Sequence, residues 1–247
     1  MVLIPPGDFV MGRSPGSQKS FEFDFDLPAH EVRLTKPFYL GRYEVTQQQY
    51  SRIMKENPSS FAKLKLPNLA ELMSQGMTKR EAEQVIKARS SVQPASEARG
   101  KEWPVERVSW DLCDAFCRRS KLRLPTEAEW EYSCRAGQRA RCYGKLDAIA
   151  WWRENSDGDT HAVGTKDPNA FGLYDMLGNV SEWVNDWHGS YSADEQTNPI
   201  GPSTGSVRVL RGGHWDNGEG VVCSSNRDTV RSNDGSYFIG FRVARDP

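Results

Sequence analysis

The sequence predicts one loop-rich domain that mixes short strands with short helices. Three observations carry this expectation. A chain of 247 residues can bury a sizeable core within a single domain, and 37% hydrophobic with 26% charged residues excludes a disordered or fibrous chain. Eight Trp and 21 Gly suit a core in which flat aromatic side chains fill the space between irregular segments. Strand-like stretches open and close the chain, with capped helix starts between them.

Residues 4–12 and 31–43 read as strands, the second from the alternation of Val32, Leu34, Phe38 and Leu40. A helix begins in the run 44–50, where Thr46 is the N-cap and Tyr50, Ile53 and Met54 share a face. From 57 to 101 the composition shifts. Residues 69–73 and 79–88 read as a polar amphipathic helical pair broken at Gly76, followed by a Ser/Pro/Glu stretch. This is an inserted surface excursion, too short for its own core. Ser109 caps the next helix, whose apolar stripe is Leu112, Phe116 and Cys117; Thr126 with Glu129 forms a capping box for another. After Trp151-Trp152 the chain reads as loop until short strands at 207–210 and 239–243.

A net charge of -1 gives no reason to expect a nucleic-acid or anionic-membrane partner. No apolar run approaches the roughly 18–20 residues that cross a bilayer, so no membrane insertion by this chain is expected. Residues 1–6 read as an opening strand rather than a secretory leader, which leaves either a cytosolic chain or a mature fragment whose leader was removed. Cys113, Cys117, Cys134, Cys142 and Cys223 form no CxxC pair, and His30, His161, His188 and His214 show no HxxxH spacing, so neither a zinc site nor histidine-based metal hydrolysis is expected.

Six motifs occur in order: Glu44-Val45-Thr46, the run 104–110 (PVERVSW), the run 123–132 (RLPTEAEWEY), the run 169–179 (NAFGLYDMLGN), the run 208–213 (RVLRGG) and Ile239-Gly240-Phe241-Arg242. Together they resemble the formylglycine-generating-enzyme (sulfatase-modifying factor) family over nearly the whole chain apart from 57–101. The resemblance implies a C-type-lectin-like α+β fold, with two helices packed on small antiparallel sheets and much irregular loop. Fold alone does not assign function.

Oxidase members of that family hold copper on two cysteines just after the Gly-Gly of the C-terminal segment, a pairing of soft metal with soft ligand. The run 212–222 here contains no cysteine, and Cys223 follows alone. The related sulfoxide synthases need an added helical domain with a three-histidine iron site, which this chain lacks. The resemblance therefore implies a binding protein with no catalytic residues and no catalytic cofactor. His188 and His214 are expected to be structural or surface groups. The alternative is a family enzyme whose chemistry uses other residues.

The C-terminal segment, with 208–213 followed by Trp215, Cys223, Arg227 and 239–242, is similar to the variable region of diversity-generating-retroelement proteins. In these, mutagenesis at template adenines diversifies AAY asparagine codons. Changing the first two bases of AAY cannot give Lys, Glu, Gln, Trp or Met. The stretch 228–238 contains none of them, Asp216-Asn217-Gly218 obeys the same rule, and Glu219 breaks it and so would be fixed. This resemblance implies a ligand-binding face in two loops, 214–222 and 228–238, held by strands on either side. Its residues are His214, Trp215, Asp216, Asn217, Gly218, Val221, Asp228, Thr229, Val230, Arg231, Ser232, Asn233, Ser236, Tyr237 and Phe238. Aromatic and small polar residues of this kind suit recognition, giving rigid contact area and adaptable hydrogen bonds; the same composition also describes solvated turns. Trp110, Trp130, Trp183, Trp187 and Trp215 are expected to be core, Trp215 being the one nearest to partial exposure at the mouth of the first loop.

Family members carry an oxygen-rich calcium site at the turn matching Gly178-Asn179. Carried over, Asp175 and Glu182 supply carboxylates, and Gly178 and Val180 supply backbone carbonyls, to a structural calcium ion. The alternative is a metal-free turn stapled by the Asn179 side chain. By the same resemblance Cys134 could bridge to Cys223, although Cys223 is offset from the family position, and mostly free, buried thiols are expected. No Glu-Pro-Asn tripeptide of the calcium-dependent sugar-binding type is present. The family reading places the protein at the cell surface or outside the cell, with a lipid anchor on a removed leader and a protein or other macromolecular ligand as partner.

Overall fold

Proline and buried charge decide where the predicted strands break. The computed structural model describes residues 1–13, 25–60, 73, 78–81, 83 and 102–247. Pro5-Pro6 splits the first predicted strand into β1 (Val2–Ile4) and β2 (Gly7–Met11), because proline lacks the N–H a ladder needs. Pro37 likewise separates β3 (His30–Leu34) from β4 (Phe38–Leu40). The four strands then serve two sheets: β1-β4-β10, and β2-β3-β6, where β6 is Gln196–Thr197 and β10 is Ala244–Arg245.

The helices start where the caps predict. α1 (Gln47–Met54) carries a complete capping box: the Thr46 hydroxyl accepts from the Gln49 amide at 3.3 Å, and the Gln49 side chain accepts from the Thr46 amide at 3.0 Å. α2 (Trp110–Ser120) is capped by Ser109, and α3 (Glu127–Arg135) by Thr126 and Glu129. A single turn, α4 (Leu146–Ile149), has no side-chain cap. The excursion at 57–101, with its predicted helical pair, falls mostly outside the described residues.

The third sheet has the order β8-β7-β5-β9. Its strands are β5 (Ser181–Trp187), β7 (Arg208–Arg211), β8 (Arg227–Val230) and β9 (Ile239–Phe241). β5 corrects the expectation of loop between Trp152 and 207. Its sequence lacks period-2 alternation because both faces are covered: Ser181, Glu182, Trp183, Val184 and Asp186 are all buried. β7 and β8 pair antiparallel, whereas β9 runs parallel to β5.

This sheet divides the core. Val184 and Val209 point into a cluster with Ala128 and Trp130 of α3 and with the two smaller sheets. Their neighbours Trp183 and Leu210 point the other way, into Tyr50, Phe116 and Phe241 beneath α1 and α2. Tyr50 and Phe116 stack with ring centres 5.7 Å apart, and Phe241 meets both edge-on.

Candidate recognition surface

Three buried arginines bracket the two C-terminal loops. Arg211 ends β7 at the start of the first loop, Arg227 closes that loop, and Arg242 follows the second. Arg211 pairs with Glu131 and also donates to the carbonyls of Ser224, Ser225 and Asn226 at 2.8, 3.0 and 2.8 Å. It thus ties both ends of the first loop to α3. Arg227 forms a bidentate pair with Glu127, at 2.6 and 2.9 Å. Arg242 forms another with Glu182, at 2.6 and 2.6 Å, and donates to the carbonyls of Gly41, Tyr174 and Asp175. A glycine is required immediately after Arg211: Gly212 has φ +89°, and a Cβ there would lie 3.0 Å from the Met176 carbonyl oxygen.

Between these anchors the chain reaches solvent. The first loop turns at His214 and Asn217, whose backbone groups bond each other at 2.9 Å. The Asn217 side chain folds back to accept from the His214 amide at 2.9 Å, so it holds the turn and does not project. Asp216 is exposed. The second loop lies along the start of α2: the Ser232 and Ser236 carbonyls accept from the Asp111 and Arg107 amides, at 3.2 and 2.9 Å. Arg231 and Asn233 are exposed, and Ser232 and Ser236 are half-buried.

An aromatic cluster joins the loops. His214 stacks on Phe238 with ring centres 4.3 Å apart and planes at 17°, and Trp215 meets Tyr237 at 5.9 Å. Tyr237 is 47% exposed, whereas Trp215 is 9% exposed and buried, in keeping with its reading as core. Its amide donates to the Asn179 carbonyl, and its carbonyl accepts from the Ser156 hydroxyl at 2.9 Å, so it supports Tyr237 from below. Burial pushes the His214 imidazole down to about 4, leaving it neutral at physiological pH.

Residues 228–230 are not loop. Asp228, Thr229 and Val230 form edge strand β8, in register with Leu210, Val209 and Arg208. The strand leads away from the Gly212–His214 turn, and Val230 packs against the core beneath α2. The contacts therefore gather His214, Trp215, Asp216, Asn217, Tyr237 and Phe238. They leave Asp228, Thr229 and Val230 on a separate sheet edge, while Gly218 and Val221 form the far turn of the first loop through a 3.0 Å backbone bond. The sequence reading missed Arg153, which is exposed and donates to the Asp216 carbonyl at 2.9 and 2.6 Å. No periodic signal marks an arginine in a turn.

At the Gly178-Asn179 turn the Asn179 side chain accepts from the His161 amide at 2.9 Å and donates to Glu44 at 2.7 Å. Glu44, which the sequence reading also missed, accepts from the Val180 amide at 3.1 Å. Glu44, Asp175 and Glu182 are all buried around Arg242. Burial, then the charge of Asp175, pushes Glu44 well up; burial raises Asp175 to about 6. The donor set fits calcium in part. Asp175 Oδ1 is buried with no hydrogen-bond partner, as a waiting oxygen ligand would be. Glu182 is already committed to Arg242 and to the Trp130 indole N–H at 2.8 Å. Among the described residues no three His, Cys, Asp or Glu side chains converge as a ligand set.

None of the five cysteines is in a disulfide, so no bridge joins Cys134 to Cys223. Cys142, half-buried, donates to the Val222 carbonyl at 3.5 Å, and burial and then the nearby Cys223 push it to about 11.

Over residues 1–247 the chain matches the family described as Sulfatase-modifying factor enzyme 1-like domain. It is 31% identical to the formylglycine-generating enzyme of Bos taurus, covering 100% of this chain and 74% of that protein. It is 34% identical to serine/threonine-protein kinase pkn1 of Chlamydia pneumoniae, where it spans only 38% of the relative's length. Among solved structures, Treponema denticola variable protein 1 superposes with a TM-score of 0.77 at 26% identity, covering 100% of this chain and 95% of that one. PvdO from Pseudomonas aeruginosa follows at 0.74 and 26%, covering 99% and 93%. The α+β, C-type-lectin-like fold expected from the sequence is the fold of these neighbours. The chain belongs to the sulfatase-modifying factor enzyme 1-like domain family.

Proposed function

We propose that the chain is a non-catalytic display protein whose C-terminal loops bind a protein or other macromolecular ligand, diversified by a retroelement. One observation carries the reading: buried Arg–Glu pairs bracket both loops, while Asp216, Arg231, Asn233 and Tyr237 between them are exposed. Substitution at such positions spares the core. The likeness to a variable protein of Treponema denticola supports it. On this reading the face acts outside the cell, from a lipid anchor on a removed leader, and nucleic acid is not its ligand. The test is selection from a library randomised at those four positions, against unrelated soluble proteins. Specific binders that share the parent frame are expected; failure to recover any contradicts the reading. A template copy of this segment differing at adenines, beside a reverse-transcriptase gene, is the genetic counterpart.

A second reading, a family enzyme whose chemistry uses residues other than cysteine, draws on the formylglycine-generating relatives. Copper binding by the protein, or its oxidation of a cysteine-containing peptide, would favour it.

Structural calcium is part of the proposal and rests on Asp175 Oδ1, which has no hydrogen-bond partner; the Gly178 and Val180 carbonyls and Glu182, which is paired with Arg242, would complete the ligand set. Added calcium is expected to raise the Tm of the protein, and less so for Asp175→Asn. An unchanged Tm in both rejects the site.

A further inference from the structure

A cavity of about 440 Å³ opens beside the loop that follows β5. Asp186 lines it and is only 3% exposed. Its Oδ2 accepts from the Glu127 amide at 2.8 Å. Its Oδ1 makes no hydrogen bond among the described residues and lies beside Gly201, where a Cβ would sit 3.0 Å from it. The other charged lining groups, Glu127 and Arg227, are spent on each other. Met11, Pro199 and Ile200 supply apolar patches in walls that also carry Ser190, Ser192, Gln196 and Asn198. A buried carboxyl with one idle oxygen on such a cavity lacks a cationic partner.

We propose that this cavity binds the ammonium group of a small primary aliphatic amine, with Asp186 as its counterion and the alkyl stem against Met11, Pro199 and Ile200. The electrostatics agree. Burial, then the charge of Glu127, raises the Asp186 carboxyl to about 8, with Glu129 adding and Arg227 opposing. Tyr191, bonded to Glu127, and His30 face the cavity, and Arg208 lies across the Trp187 ring. Of these causes, the negative charge of Glu127 also favours an ammonium, whereas burial only disfavours the bare carboxylate.

The amine must displace that proton below about pH 8, so affinity should fall about tenfold per pH unit between pH 8 and 6 and level off above. Calorimetric titration with n-butylammonium should show saturable binding with this profile, and n-butanol should bind at least about tenfold more weakly. Asp186→Asn keeps an oxygen for the Glu127 amide; it should weaken the amine by about tenfold or more and flatten the profile. Equal binding of butanol, a pH-independent affinity or an unaffected Asp186→Asn variant overturns the proposal, as does the absence of saturable binding. The wild-type profile decides even if the variant fails to fold.

Discussion

Arg242 and Asp216 stand in one C-terminal segment, yet the fold treats them oppositely. Arg242 is fully buried, and its guanidinium holds Glu182 and three carbonyls from two distant segments. Asp216 is exposed, and its carboxylate lies 3.5 Å from the equally exposed Arg153. Sequence tolerance should follow this division. Residues that order the segment cannot change, whereas residues the segment merely carries can.

The largest effect is expected at the frame. Arg242→Met strands the Glu182 charge in the core and should cost about 3–5 kcal/mol in denaturant unfolding. A loss below about 1 kcal/mol would mean that the ion pair does not hold the frame.

An intermediate effect is expected at His214, under the aromatic cluster. Its folded-state value lies below the unfolded 6.5, so the unfolded chain binds the extra proton between pH 6.5 and about 4. Its contribution is therefore full above pH 6.5 and is lost as the pH falls toward 4, by up to about 3 kcal/mol. His214→Gln should flatten this part of the stability profile; an unaltered slope would show the ring to be solvated.

The smallest effects belong to the tips. Asp216→Ala and Asn233→Ala should each change stability by no more than about 0.5 kcal/mol. A larger loss at either position would move it from face to frame.

The sequence disclosed much of the frame and less of the face. Thr46, Ser109 and Thr126 announce helix starts because capping is a local interaction, readable over four residues. β5 escaped because Glu182 and Asp186 look exposed until Arg242 and the start of α3 are brought beside them. The same non-locality hid Glu44, whose partners Asn179 and Val180 lie 135 and 136 residues away. Residues 228–230 resembled loop because an edge strand of mixed polarity carries no apolar alternation; only its register with Arg208–Arg211 defines it. Trp215, two residues past Gly212-Gly213, read as core despite its place at the loop mouth, and its buried ring supports Tyr237.

The direct test is the spread of stability among unselected clones randomised together at Asp216, Arg231, Asn233 and Tyr237. Urea midpoints clustered near the parent value are predicted, because no buried Arg–Glu pair is touched. Widespread unfolding, or midpoints scattered as broadly as those of core variants, would contradict a replaceable face on a fixed frame.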